Sequence, residues 1–145
     1  MKSMSIFFLV MIIAKIRCGQ ASDSALIVKL LEKESSTWRT GDAAAHAACW
    51  KIEPYSTVII MSAEGKTFSI PADKLANAPK ESMGKGGSSK NSNYRMSING
   101  NTALVTHEEA STSVTGIVNH TFEVRMLEKT NGEWKLTGQI IQVIN

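Results

Sequence analysis

The last third of the chain constrains its fold most strongly, because it predicts four strands joined by turns. The predicted strands span Asn93–Ile98, Thr102–Ala110, Gly116–Lys129 and Glu133–Ile144. The turns at Asn99-Gly100-Asn101 and Thr130-Asn131-Gly132 both contain Asn-Gly, the pair that favours the tight turn of a β-hairpin. This segment is therefore expected to form an antiparallel meander.

The region before the meander predicts helices and one further hairpin. The predicted elements are, in order, helices Ser22–Thr40 and Ala43–Trp50, strands Thr57–Ser62 and Lys66–Ile70, a short helix Pro71–Asn77 and a Gly- and Ser-rich loop Lys80–Asn93. Gly41 is suited to end the first helix and Asp42 to cap the second. Helices that precede antiparallel strands are typical of an α+β fold, here one domain over residues 22–145.

The first 21 residues predict an export signal that is not part of the fold. Lys2 makes the start positive, residues 6–14 are apolar, and Gly19-Gln20-Ala21 matches a cleavage site of small residues. A membrane helix needs roughly 20 apolar residues, so this run is too short. We expect an exported, periplasmic or secreted protein without a stable membrane anchor. Lipid attachment at Cys18 is disfavoured, because charged Arg17 precedes it.

The charge balance gives no reason to expect a nucleic-acid partner. The chain has 16 basic and 13 acidic residues, and three of the basic ones (Lys2, Lys15 and Arg17) lie in the predicted signal. The rest of the chain is then balanced, so no basic patch for a polyanion is indicated. The histidines are scattered and no cofactor motif is present, so neither a metal nor a cofactor is predicted.

The longest strand alternates between two kinds of residue. One face carries the mostly apolar set Val118, His120, Phe122, Val124 and Met126. The other face carries the polar set Asn119, Thr121, Glu123 and Arg125. An apolar face usually packs on the core, so His120 and Phe122 are expected inside and Glu123 and Arg125 outside. A long sheet curled around the N-terminal helices would make a cone with an open end.

Three segments carry a resemblance to a known family. They are Trp38-Arg-Thr-Gly-Asp42 before the Ala-rich helix, Val58-Ile-Ile-Met-Ser-Ala-Glu-Gly65, and Arg125-Met-Leu-Glu-Lys-Thr-Asn-Gly-Glu-Trp-Lys-Leu136. In this order and spacing, the chain resembles the nuclear transport factor 2-like (SnoaL-like, cystatin-like) superfamily, and in particular its small exported bacterial members. The resemblance covers roughly residues 25–143 and implies a cone of strongly curved antiparallel sheet around N-terminal helices.

The resemblance leaves the activity open, because this fold hosts isomerases, dehydratases, hydrolases and transport factors. Enzymatic relatives often carry an acidic residue after the second helix. In this sequence the region reads Trp50-Lys-Ile-Glu-Pro-Tyr-Ser56, so Glu53 is the nearest equivalent. Some small exported relatives carry an arabinase label, which implies hydrolysis of a glycan as one possible activity.

Four residues are candidates for acid–base catalysis. His120 is expected inside the cone, where an imidazole shuttles protons near neutral pH. His107 and Glu109 are two residues apart on the neighbouring strand, so both side chains are expected on one face. Glu53 is a further carboxylate. The alternative for each is a core histidine or a solvated charge.

Aromatic residues are candidates for ligand binding. Trp38, His46, Trp50, Tyr55 and Phe122 are expected to line the mouth of the cone, where aromatic rings suit an apolar or sugar-like ligand. The alternative is that these rings belong to the core.

The polar face of the sheet is a candidate dimer face, since relatives commonly dimerise through a sheet face. Its residues are Thr121, Glu123, Arg125, Lys135 and Gln139. Carboxylates and basic groups on one surface allow a self-complementary two-fold contact.

The sequence therefore predicts an exported protein that binds a small, partly apolar ligand in a cone and forms a homodimer. A small enzyme, an isomerase or a hydrolase of the arabinase type, is one alternative. A dimeric interaction module that uses only the sheet face is another.

Overall fold

The computed structural model describes residues 23–144. The predicted signal, its cleavage site near Ala21 and the lipidation site at Cys18 lie outside the described residues. No helix within residues 23–144 is long and apolar enough to cross a membrane.

Three α-helices precede or interrupt the sheet. Helix α1 covers residues 23–40, α2 is Ala43–Ala47 and α3 is Ala72–Ala76, with a 3₁₀ turn at Lys80–Ser82. Gly41 ends α1 with a positive φ of 69°. The Asp42 side chain caps α2 by accepting a 3.1 Å hydrogen bond from the Ala45 amide.

Helix α2 is shorter than the predicted Ala43–Trp50, because the chain after it pairs with the last strand. Trp50 forms a parallel bridge with Leu136. The Leu136 amide donates to the Cys49 carbonyl at 2.9 Å, and the Lys51 amide donates to the Leu136 carbonyl at 2.8 Å. A helix through residue 50 would leave these backbone groups of the sheet edge unpaired.

Six strands form one curved, unclosed sheet, and the α+β fold is as predicted. The strands are β1 Thr57–Met61, β2 Thr67–Pro71, β3 Ser88–Asn99, β4 Thr102–Thr112, β5 Val118–Thr130 and β6 Glu133–Ile144, in the order β2-β1-β6-β5-β4-β3. The meander and both predicted hairpin turns are present. One pairing was not predicted: β1 runs parallel to β6, with Val58 opposite Gln139.

Trp134, in the hairpin of β5 and β6, links α1 to the sheet. Its side chain is buried, and its Nε1 donates to Asp23 Oδ1 at 3.1 Å. Lys129 of β5 bonds the same carboxylate atom at 2.6 Å. One and two turns after Asp23, Ile27 and Leu31 of α1 are buried in the hydrophobic core. The apolar core thus occupies one end of the space between α1 and the sheet.

The predicted assignment of faces on β5 is wrong. Glu123 and Arg125 are buried, with 3% and 4% of their surface exposed. His120 is exposed and Phe122 is 37% exposed, both on the opposite face. Alternation shows which residues share a face but not which face is inside. Charged residues occupy the interior here because carboxylates and guanidinium groups pair with one another there.

The predicted dimer face is wrong for the same reason. Glu123, Arg125 and Gln139 lie inside the fold, and Thr121 is half-buried beside them. Lys135 is half-buried and donates to the Ala48 carbonyl at 2.8 Å. These side chains contact their own chain and do not form an outward-facing surface.

The Gly-rich segment is shorter than the predicted loop, since β3 already begins at Ser88. The Gly84 amide donates to the Trp38 carbonyl at 2.9 Å, and the Gly86 amide donates to the Arg39 carbonyl at 2.6 Å. A Cβ on Gly84 would lie 2.7 Å from the Arg39 Cα, so only glycine permits this approach. The segment therefore holds the last turn of α1 in place.

Candidate functional site

A cavity of about 240 Å³ lies between α1 and the concave face of the sheet. Its apolar wall is made by Trp38, Ile60, Leu75 and Ile141, all half-buried. The rest of its lining is polar and mostly buried, and comprises Glu34, Ser35, Arg39, Glu109, Thr121, Glu123, Arg125 and Gln139. An apolar wall beside a few convergent polar groups is the usual make-up of a small-molecule site.

Arg125 is the centre of the polar lining. Its guanidinium donates to Glu123 on the same strand and to Gln139, its cross-strand partner on β6. Its Nη1 also lies 3.4 Å from Glu34 Oε2 on α1. Glu123 accepts a further hydrogen bond from Thr121 at 2.8 Å. One buried cation thus connects α1, β5 and β6.

A second ion pair joins α1 to β4. Arg39 donates to Glu109, and Ser35 donates to the other carboxylate oxygen of Glu109 at 2.5 Å. Arg39 also donates to Ser35 at 3.0 Å. Ser35 and Arg39 are four residues apart, so the helical repeat places both on the face of α1 that meets the sheet.

Two buried histidines lie behind the carboxylates. His46 Nδ1 is 3.7 Å from Glu34 Oε1, and its ring sits 5.3 Å from Trp38 and 6.3 Å from Trp50 between centroids. His107 Nε2 is 3.5 Å from Glu123 Oε2. No ring nitrogen of either histidine has a hydrogen-bond partner among the described residues. Burial lowers the pKa of His107, which favours the neutral imidazole.

Burial disfavours the charged form of the Glu34 carboxylate. Its side chain is buried and lies within ion-pair distance of Arg125 and His46. Burial raises the pKa of Glu34, and the charge of Arg125 offsets this only in part. The basic atoms nearest to its carboxylate are Arg125 Nη1 at 3.4 Å and His46 Nδ1 at 3.7 Å.

The predicted catalytic residues do not assemble as one site. His107 and Glu109 are both buried, but Glu109 pairs with Arg39 while His107 faces Glu123. His120 is exposed on the other face of β5. Glu53 forms a 2.7 Å ion pair with Lys51 and does not line the cavity.

Of the predicted ligand-binding aromatic residues, Trp38 lines the cavity. His46 and Trp50 are buried behind it, as in the alternative of core packing. Tyr55 is 60% exposed and donates to Glu128, away from the cavity. Phe122 lies on the outer face of the sheet.

Sequence reasoning missed Glu34 and Arg39, and it placed Glu123, Arg125 and Gln139 on the wrong side. One signal was available: Glu34 falls on the same helical stripe as Leu30 and Leu31, where an apolar residue is the norm. A charged residue in that stripe points to a partner charge in the interior.

The described part of the chain shows no group of three or more His, Cys, Asp or Glu side chains arranged to hold a metal ion.

Comparison with solved structures identifies the fold. A protein of unknown function from Shewanella baltica, described as NTF2-like, superposes with a TM-score of 0.65 at 16% identity over 86% of this chain and 96% of that one. A cystatin-like protein of unknown function from Nostoc punctiforme gives 0.66 at 18% identity over 86% and 92%. The protein has the NTF2-like fold.

A further NTF2-like structure, from Streptomyces avermitilis, is described as a putative dehydratase. Its TM-score is 0.66 at 14% identity, over 87% of this chain and 99% of that one. At these identities the likeness extends to the fold alone. No protein-family model matches the sequence, and no curated protein matches it significantly.

The charge state of Glu34 predicts a pH-dependent stability difference for the Glu34→Gln variant. A carboxyl whose pKa is raised on folding contributes its full stability below the unfolded pKa, and this contribution is lost as pH rises through the folded value. We expect the variant to gain on the wild type as pH rises above about 4.5, by about 1.4 kcal/mol per unit of pKa shift. Urea unfolding at several pH values measures this difference.

The matched control is Glu32→Gln, an exposed position on the same helix. Its difference from the wild type is expected to stay constant with pH. An equally flat profile for Glu34→Gln would contradict the raised pKa.

Proposed function

We propose that this protein binds a small, partly apolar molecule in the cavity between α1 and the sheet. The proposal rests on the lining of the cavity, which combines one apolar wall with buried charged side chains. The charged side chains can orient a polar group of a ligand. The apolar wall, formed by Trp38, Ile60, Leu75 and Ile141, can contact the apolar part of the ligand.

The size of the cavity restricts the ligand. Pockets for drug-sized ligands usually enclose roughly 300–1,000 Å³. The cavity here encloses about 240 Å³, which suits a molecule smaller than a drug. Catalysis by His120 with a carboxylate receives no support from this arrangement, because that histidine is on the outer face. The titratable side chains that line the cavity are Glu34, Arg39, Glu109, Glu123 and Arg125.

We propose further that the binding protein acts outside the cytoplasm. The support is the export signal predicted for residues 1–21. In that compartment, a binding protein can take up its ligand from the surrounding medium and release it there.

Substitution of Trp38 tests the binding site. Native mass spectrometry of the protein purified from the organism that makes it should show a small molecule bound. We expect Trp38→Ala to lower ligand occupancy about tenfold, because a large apolar contact is lost. Tyr55→Ala is the matched control, since this exposed ring lies outside the cavity and its loss should leave occupancy unchanged.

The reverse pattern would contradict the proposal. If Trp38→Ala retains the ligand and Tyr55→Ala loses it, the ligand binds elsewhere. Circular dichroism of each variant checks that the fold is retained.

A homodimer is the second part of the proposal, through a different surface from the one first predicted. The outer face of the sheet carries several apolar side chains: Leu104 is 49% and Ile144 43% exposed, and Val124 and Ile140 are half-buried. Large apolar side chains grouped on an exposed sheet face suit a contact surface. A stable interface buries roughly 800 Å² on each partner, an area that a broad sheet face is suited to supply.

Charge placed on this face tests the dimer. Val124→Arg should convert the dimer to a monomer in sedimentation equilibrium, because an unpaired charge would be buried in the contact. Thr130→Arg places the same side chain at the exposed end of the same strand and should leave the dimer intact. A wild-type monomer at all concentrations would contradict this part of the proposal.

A further inference from the structure

The cavity lining contains one more acidic than basic side chain. Glu34, Glu109 and Glu123 supply three carboxylates, and Arg39 and Arg125 supply two guanidinium groups. Arg39 is bound to Glu109 and Arg125 to Glu123, each by a direct hydrogen-bonded ion pair. The carboxylate left without such a partner is Glu34.

Glu34 is 4% exposed, yet the fold gives it little to bind. The nearest cationic atom is Arg125 Nη1 at 3.4 Å, and that nitrogen already donates to Gln139. His46 Nδ1 is 3.7 Å away, beyond hydrogen-bond range. A buried carboxylate is costly unless another group pairs with it closely.

The cavity supplies the space in which such a group would sit, because Glu34 is part of its lining. We infer that the ligand of the proposed binding site is a small amine, bound as an ammonium ion with its nitrogen on the Glu34 carboxylate. This inference rests on the proposed function and names the class of ligand for the same cavity.

An ammonium group fits the charges better than the alternatives. Together with the two guanidinium groups it balances the three carboxylates, and its N–H groups can donate to the Glu34 carboxylate. A ligand carboxylate would be a fourth anion, and Nη2 of each guanidinium group already binds a carboxylate of the lining, Glu109 or Glu123. The apolar wall, with Trp38 as its largest member, would hold the hydrocarbon part of the amine.

Two further buried donors bear on the rest of the ligand. Arg39 Nε and Arg125 Nε have no hydrogen-bond partner among the described residues. A neutral acceptor, such as a hydroxyl oxygen on the amine, would satisfy one of them without adding negative charge.

Three probes of nearly the same shape test the inference: benzylammonium, benzyl alcohol and benzoate. Affinities are measured by titration of the full chain, with the Trp38 indole N–H resonance as the reporter of binding in the cavity. We expect benzylammonium to bind about tenfold or more tightly than benzyl alcohol, and benzoate to bind most weakly.

The Glu34→Gln variant keeps the size of the side chain and removes its charge. It should bring the affinity for benzylammonium down about tenfold, to that of benzyl alcohol, while the affinity for the alcohol stays within about threefold. Glu32→Gln makes the same change of charge on the exposed side of α1 and should alter neither affinity.

The outcomes separate the inference from the proposed function. If benzyl alcohol or benzoate binds as tightly as benzylammonium, the cavity binds ligands but the inference is overturned. If none of the three shifts the Trp38 resonance, the proposed binding site fails and the inference fails with it. The order of the three affinities in the wild type decides the matter even if Glu34→Gln does not fold.

Discussion

The buried Arg125 guanidinium is the interaction on which the rest of the structure depends. It pairs with Glu123 on its own strand and with Gln139 on β6, and it lies 3.4 Å from Glu34 on α1. Removal of this one cation would leave carboxylates buried without compensation, which typically costs about 3–5 kcal/mol. The placement of α1 over the sheet, and therefore the cavity between them, follows from these contacts.

The same network explains why the interior is not filled by apolar side chains. Trp134 and Ile27 close one end of the space with an ordinary hydrophobic core. Charged groups occupy the other end, where each must stay within reach of a partner and of the cavity. Glu34 is the carboxylate of this network without a direct hydrogen-bonded ion pair, so a positively charged ligand would gain most by binding there. Because charged residues occupy the inner face of β5, its apolar residues lie on the outer face of the sheet. That face suits a contact with a second copy of the protein.

Local signals in the sequence were sufficient to predict the order of the helices and strands. Asn131-Gly132 takes the positive φ angles of a tight turn, 52° and 83°, and Asp42 caps α2. These features depend on neighbouring residues alone. Local signals could not show which face of β5 is buried, since apolar and polar residues alternate in the same way in both cases. It depends on the burial of Arg125 with Glu123 and Gln139 under α1, whose Glu34 lies 91 residues earlier in the chain.

A double-mutant cycle between Glu123 and Arg125 tests the central claim, that these charges form a buried pair. The free energies of unfolding of Glu123→Gln, Arg125→Met and the double variant would be measured in urea. The structure predicts that Arg125→Met alone costs about 3 kcal/mol or more and that the coupling energy is about 2 kcal/mol or more. A coupling energy within about 0.5 kcal/mol, as is common for exposed pairs, would contradict the buried network and the site built on it.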